Sequence, residues 1–189
     1  MMTICVNVEP YLAHYMYARY ANCIREGAIK LSHRTNLYHI LLELTAPRPQ
    51  NISWRDIGNL TFALPVPDIG KDPRTYNYLS SESIRLLSVK INRQMRREMI
   101  EYMLNEKFEH GIMYKHSLIR FITDYDMDEL VNEDTLMKHF QLWRKKEKLE
   151  RKKAGLINSL SNTSKMYFHK CIQNISYRPN LLSRIFTYK

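Results

Sequence analysis

Lys138, Gln141, Lys145, Lys148 and Lys152 follow one another at spacings of three and four residues, the repeat that puts side chains on one face of an α-helix. The chemistry open to such a stripe is recognition of anions. Ammonium groups neutralise phosphates, and glutamine or arginine can read the donors and acceptors on base edges. Arg144 lies at the margin of the stripe, and Arg151, Lys152 and Lys153 extend the basic character toward the end of the chain. Leu136, Phe140 and Trp143 fall almost opposite on the same helical wheel and would enter a core. The stretch from Asn132 to Lys153 is therefore expected as one helix with two unlike faces. Asn132 can cap it, Glu133 and Asp134 suit the positive end of its dipole, and its cations crowd toward the other end. A solvated lysine face on any surface helix has the same composition, so the stripe names a class of partner rather than an activity.

The charge balance points the same way. Of 189 residues, 29 are Lys or Arg and 19 are Asp or Glu, a formal net charge of +10. Residues 151–189 hold eight of those cations and no acid, so +8 of the +10 directly follows the basic end of the expected helix. A basic helix leading into a basic arm suits a polyanion. With 44% hydrophobic and 25% charged residues the chain is globular in type, and no run of about 18 uncharged apolar residues offers a membrane span. The N-terminal segment lacks the basic start of a signal peptide and meets Glu9 and Pro10 early, which places the expected location in the cytoplasm. Cys5, Cys23 and Cys171 match no zinc or redox spacing and are read as reduced thiols.

Other constellations carry less. Asp124, Asp126 and Asp128 alternate as in a calcium loop, but Glu129 and Thr135 stand where such a loop needs glycine and glutamate, so no metal is expected. Seven histidines and five glycines include no helical His pair with an acid and no phosphate loop; no catalytic residue and no cofactor is called for. Tyr11, Tyr15, Tyr17, Tyr20 and Tyr38 could stack bases, although tyrosines at helical spacing more often form a wet-edged core. Leu142, Leu149 and Leu156 recur every seventh residue, a hint of a homodimer seam that falls short of sustained heptads.

Elements to carry these residues are readable in order. Thr3 to Val8 suits a strand, and Pro10 opens a helix that runs to about Asn22. Ala28 to Ser32 alternates like a second strand. Thr35-Asn36 introduces a helix from Leu37 to Leu44, and Asn59 to Leu64 is the third strand. A proline-spaced linker covers Pro65 to Pro73. Ser80 or Ser81 then caps a helix in which Ile84, Leu87, Ile91, Met95, Met99 and Met103 face inward, ended by His110-Gly111. Ile112 to Thr123 is a shorter helix with Leu118, Ile119 and Ile122 inward, and Asp124 to Val131 turns into the basic helix. The fold class expected is α+β and mostly helical. A small strand and helix head, residues 1–75, precedes a helix-turn-helix-like region, 76–153, and a basic, partly flexible tail, 154–189.

Asn59-Leu-Thr-Phe-Ala-Leu-Pro65, Thr75-Tyr-Asn-Tyr-Leu-Ser80 and the helix Asp134-Thr-Leu-Met-Lys-His-Phe-Gln-Leu-Trp-Arg144 together resemble a family of small uncharacterised proteins of Bacteroides-type bacteria and their mobile elements. The resemblance covers residues 1 to about 146, leaves the tail from Arg151 outside, and carries no catalytic residue. It implies a DNA-binding role and a helical second half. The residues themselves lead to a non-enzymatic DNA-binding or accessory protein whose helix 132–153 meets duplex DNA through Lys138, Gln141, Arg144, Lys145 and Lys148, with Arg151, Lys152 and Lys153 gripping phosphates. The eight-residue turn is longer than the three or four residues of the short helix-turn-helix motif, which favours a winged or three-helix variant. The alternative is an adaptor that docks an acidic protein through the same helix and tail.

Overall fold

One glycine turn, at Gly27, and one close backbone approach, at Gly58, organise the first 64 residues. The computed structural model describes residues 1–52, 57–66 and 70–176, with side chains as far as Ala154. Strand β1, Thr3–Val6, leads into helix α1, Pro10–Arg19, whose first position is the proline. A short 3-10 turn, Ala21–Cys23, takes the chain out of α1 earlier than the expected Asn22. Strands β2, Ile24–Arg25, and β3, Ala28–Ile29, form a tight hairpin across Glu26 and Gly27, both at positive φ (52° and 78°). This is the backbone of the hairpin turns that match strand twist. Helix α2, Asn36–Leu44, is capped by the Thr35 side chain, which accepts from the Tyr38 N–H. Strand β4, Leu60–Ala63, returns to the middle of the sheet.

All four strands join one sheet in the order β1-β4-β3-β2. β4 runs antiparallel to β1, Cys5 opposite Thr61, and parallel to β3. Gly58 is fixed by this closeness, because a Cβ there would collide with the Val6 backbone. Asn59 then clamps the edge: its side chain accepts from the Val8 N–H (2.9 Å) and donates to the Val8 carbonyl (2.8 Å). The segment after the sheet is tied back to the exit of α2. Lys71 Nζ donates to the carbonyls of Leu42, Glu43 and Thr45 at 2.8, 2.8 and 2.6 Å, taking up oxygens that a helix end leaves without partners.

Helix α3, Ser81–His110, spans 30 residues between the Ser80 cap and Gly111, which sits at φ 70°. The Ile112 N–H reaches back to the Glu106 carbonyl at 3.1 Å, a glycine-terminated helix end. Leu87, Ile91, Met95, Met99 and Met103 are buried along it as expected, while Ile84 is only half-buried near its start. Helix α4, Tyr114–Asp124, folds back on α3 as a helical hairpin, with Tyr102 against Phe121 and Arg120 paired to Glu106 (3.2 Å). Here the expectation needs correction. Phe121, not Ile119, joins Leu118 and Ile122 in the core; Ile119 is exposed. A ring at position 121 fills the space beside Tyr102 and Tyr125. α1 and α2 both pack on α3, so the head and this hairpin belong to one unit, Met1–Met137.

Helix α5, Glu133–Ser176, is 44 residues long. It starts where expected, with Asn132 Oδ1 accepting from the Thr135 N–H (3.2 Å), but it does not stop at Lys153. The tail expected from residue 154 is helical as far as Ser176, and the remainder lies outside the described residues. The second unit begins within this helix, at Lys138. The fold is α+β and mostly helical, with five α-helices and one four-stranded sheet among the described residues. None of the helices among the described residues is long and apolar enough to cross a membrane.

Candidate nucleic-acid interface

The two faces of α5 separate as their side chains require. Leu136 and Phe140 are buried, and the Trp143 ring stacks on that of Phe140 with centroids 6.0 Å apart. Lys138, Gln141, Lys145, Lys148 and Lys152 are all exposed. At about 100° per residue they occupy a window of about 80°, and at about 1.5 Å per residue they span about 21 Å of helix. No hydrogen-bond or ion-pair partner holds any of the five among the described residues.

The remaining basic residues of the expected site are engaged. Arg144 is half-buried with its guanidinium carbon 5.8 Å from the Phe140 ring centroid, in cation–π range. Arg151 pairs with Glu147 at 3.4 Å, and Lys153 with Glu150 at 3.6 Å. These pairs lie off the stripe and are exposed, so each contributes little to stability. They have a second effect. The two acids of this basic stretch are drawn to Arg151 and Lys153, and the stripe lysines are left without an ion pair among the described residues. Two apolar side chains flank the lysines: Leu142 is 64% exposed and Leu149 52%. Leu156 lies beyond the described side chains.

The other constellations resolve into local partnerships. Asp124 accepts from the Tyr102 hydroxyl (3.2 Å), Asp126 meets His14 Nδ1 (3.0 Å), and Asp128 accepts from Thr123 (3.1 Å). The three carboxylates thus serve separate partners, and Asp126 and Glu129 turn the backbone at positive φ. The tyrosines are likewise occupied. Tyr15 is fully buried and donates to Glu98 (2.8 Å), Tyr17 accepts from the Thr61 N–H (3.1 Å), and Tyr11 and Tyr20 accept from Asn92 and Gln94, both at 3.4 Å. Tyr38 is half-buried. This is the wet-edged core rather than an open stacking platform.

Glu98 is the centre of one such network, receiving Tyr15, Arg19 Nε (2.9 Å) and Gln94 (3.1 Å). Burial first, then the neighbouring Glu98 charge and hydrogen bond, push the Tyr15 phenol far above its usual range. No family model, no curated protein and no solved structure matches this chain.

Cationic residues on α3 went unrecognised as a group in the sequence. Lys90, Arg93 and Arg97 share a 3-and-4 spacing, and they line a groove together with Arg19, Tyr20, Thr35 and Asn36. The spacing was the available signal; the groove depends on contacts far apart in the chain.

Proposed function

We propose that this protein binds duplex DNA through the exposed face of α5, as a non-enzymatic DNA-binding or accessory protein. The observation that carries the proposal is the exposed stripe of Lys138, Lys145, Lys148 and Lys152 with Gln141 among them, without ion-pair partners among the described residues, on a helix whose opposite face carries the buried Leu136 and Phe140. A helix presenting four ammonium groups, unpaired among the described residues, over about 21 Å suits the closely spaced phosphates of a duplex. Gln141 is the side chain of the stripe able to donate to and accept from a base edge. Arg144, Arg151 and Lys153 take a supporting place, because each must leave an intramolecular partner to reach a phosphate. The role is also the one implied by the resemblance of segments 59–65, 75–80 and 134–144. Changing Lys138, Lys145 and Lys148 together to Glu is expected to abolish duplex binding while leaving the circular dichroism unchanged; unchanged affinity would refute the proposal.

The exposed Leu142 and Leu149 beside the lysines favour one second reading, an adaptor that docks an acidic protein on this same face. Competition separates the two. Excess nonspecific duplex should displace a DNA ligand at this helix and would leave an apolar-anchored protein partner in place.

A further inference from the structure

Away from α5, the groove between the end of α1, the start of α2 and the middle of α3 has the features of an anion site. Its volume is about 510 Å³, and Lys90, Arg93 and Arg97 line it. These residues lie within about 60° on α3 and span about 10 Å. All three are exposed and have no hydrogen-bond or ion-pair partner among the described residues. Three unpaired cations on one helix face repel one another, and a bound anion relieves that repulsion.

The acids beside them offset only part of this charge, since four cations and two acids line the groove. Glu98 is held by Arg19, Tyr15 and Gln94, and Glu101, which also lines the groove, is exposed and makes no ion pair with Arg97. The groove is also lined by Thr35, the cap of α2, and by Asn36 and Leu37, the first residues of that helix, whose first turn contains no acid. The Thr35 N–H is taken up by the Ser32 carbonyl at 2.9 Å, and the positive end of the α2 dipole adds to the field of the cations. Arginine forks and an ammonium around one concavity are the complement of a phosphoryl group, which offers several oxygens and more than one negative charge.

We propose that this groove binds phosphoryl groups, carried either by a free phosphate compound or by a nucleic-acid strand, through Lys90, Arg93 and Arg97. The site uses no residue of the α5 stripe, so it stands or falls separately from the duplex-binding proposal. The test is isothermal titration of the full chain with inorganic pyrophosphate and with a 5′-phosphorylated single-stranded decanucleotide. It is run on the wild type, on the double variants Arg93→Glu/Arg97→Glu and Arg93→Gln/Arg97→Gln, and on the α5 triple Lys→Glu variant.

Saturable binding of at least one probe is expected in the wild type. It should weaken at least tenfold in the Glu double variant, less in the Gln variant, and stay within twofold in the α5 variant. Tighter binding of pyrophosphate assigns a free phosphate compound, and tighter binding of the decanucleotide assigns a strand. No saturable binding of either probe in the wild type would overturn the proposal. So would equal affinity in the Glu double variant, or loss in the α5 variant with the groove variant unaffected. That last result would leave duplex binding by α5 intact.

Discussion

Arg144 lies over the ring of Phe140, its guanidinium carbon 5.8 Å from the centroid, so a residue that sequence alone places among the DNA contacts is packed onto the buried face of its own helix. Arg144→Ala is therefore expected to act mainly on stability. A partly exposed cation–π contact is worth about 0.5–1 kcal/mol, and a loss of that order should appear in urea unfolding, with duplex affinity reduced less than threefold. A tenfold loss of affinity at unchanged stability would place Arg144 in the interface instead.

Glu98 is the polar centre of the α1–α3 contact, and removing it leaves the buried Tyr15 hydroxyl without its acceptor. Glu98→Ala should cost about 2–3 kcal/mol, in the range for an orphaned buried donor with the loss of an Arg19 pair. Tyr15→Phe should cost less, since the donor goes too.

The raised Tyr15 phenol also sets a pH dependence. Above the ordinary tyrosine range the unfolded chain releases this proton while the folded chain keeps it. The folded state then binds more protons, so the contribution of Tyr15 is complete below about pH 10 and is lost as pH rises further. Thermal unfolding between pH 9 and 12 should show a steep fall in melting temperature, shallower in Tyr15→Phe; parallel curves for the two proteins would contradict this origin.

Lys71 supplies three hydrogen bonds to the last carbonyls of α2. Lys71→Met keeps the aliphatic stem and removes the donors, and is expected to destabilise by about 2 kcal/mol, lowering the melting temperature by roughly 4–8 °C for a chain of this size. An unchanged melting temperature would show that water replaces the ammonium at no cost.

Two glycines should respond differently to alanine. At Gly58 the added methyl meets the Val6 backbone, which cannot move without parting β1 from β4, and a loss of about 2–3 kcal/mol is expected. At Gly27 nothing stands within 4 Å, and only the positive φ opposes the change, for a cost of about 1 kcal/mol. Equal effects in equilibrium unfolding would mean that the strand pair yields more easily than its geometry implies.

What the sequence makes legible is what is local. The caps at Thr35 and Ser80, the stop at Gly111 and the inward spacing from Leu87 to Met103 are all read from neighbours within a few residues, and the helices begin and end there. β2 escapes notice because two residues carry no alternation; its turn at Glu26-Gly27 is the better signal. Ile119 and Phe121 both suit an inward position, and the choice between them depends on Tyr102, nearly twenty residues away. The continuation of α5 past Lys153 is not signalled by apolar periodicity, because the clusters at Leu156-Ile157 and Met166 to Phe168 are irregular. The stripe on α5 is readable as a pattern, yet its sorting into free and engaged cations depends on Glu147, Glu150 and Phe140 being seen in place. The α3 groove is less legible still, since Asn36 and Tyr20 must first be brought beside Arg93.

The most direct measurement is fluorescence-polarisation binding of the full chain to a labelled duplex across a range of salt, wild type against Lys138→Glu/Lys145→Glu/Lys148→Glu. With the four stripe lysines on phosphates, the logarithm of the binding constant should fall against log salt with a slope of about −3 to −4, and the triple variant should lose saturable binding. A triple variant that binds duplex with the wild-type affinity and slope would contradict the assignment of α5 as the interface.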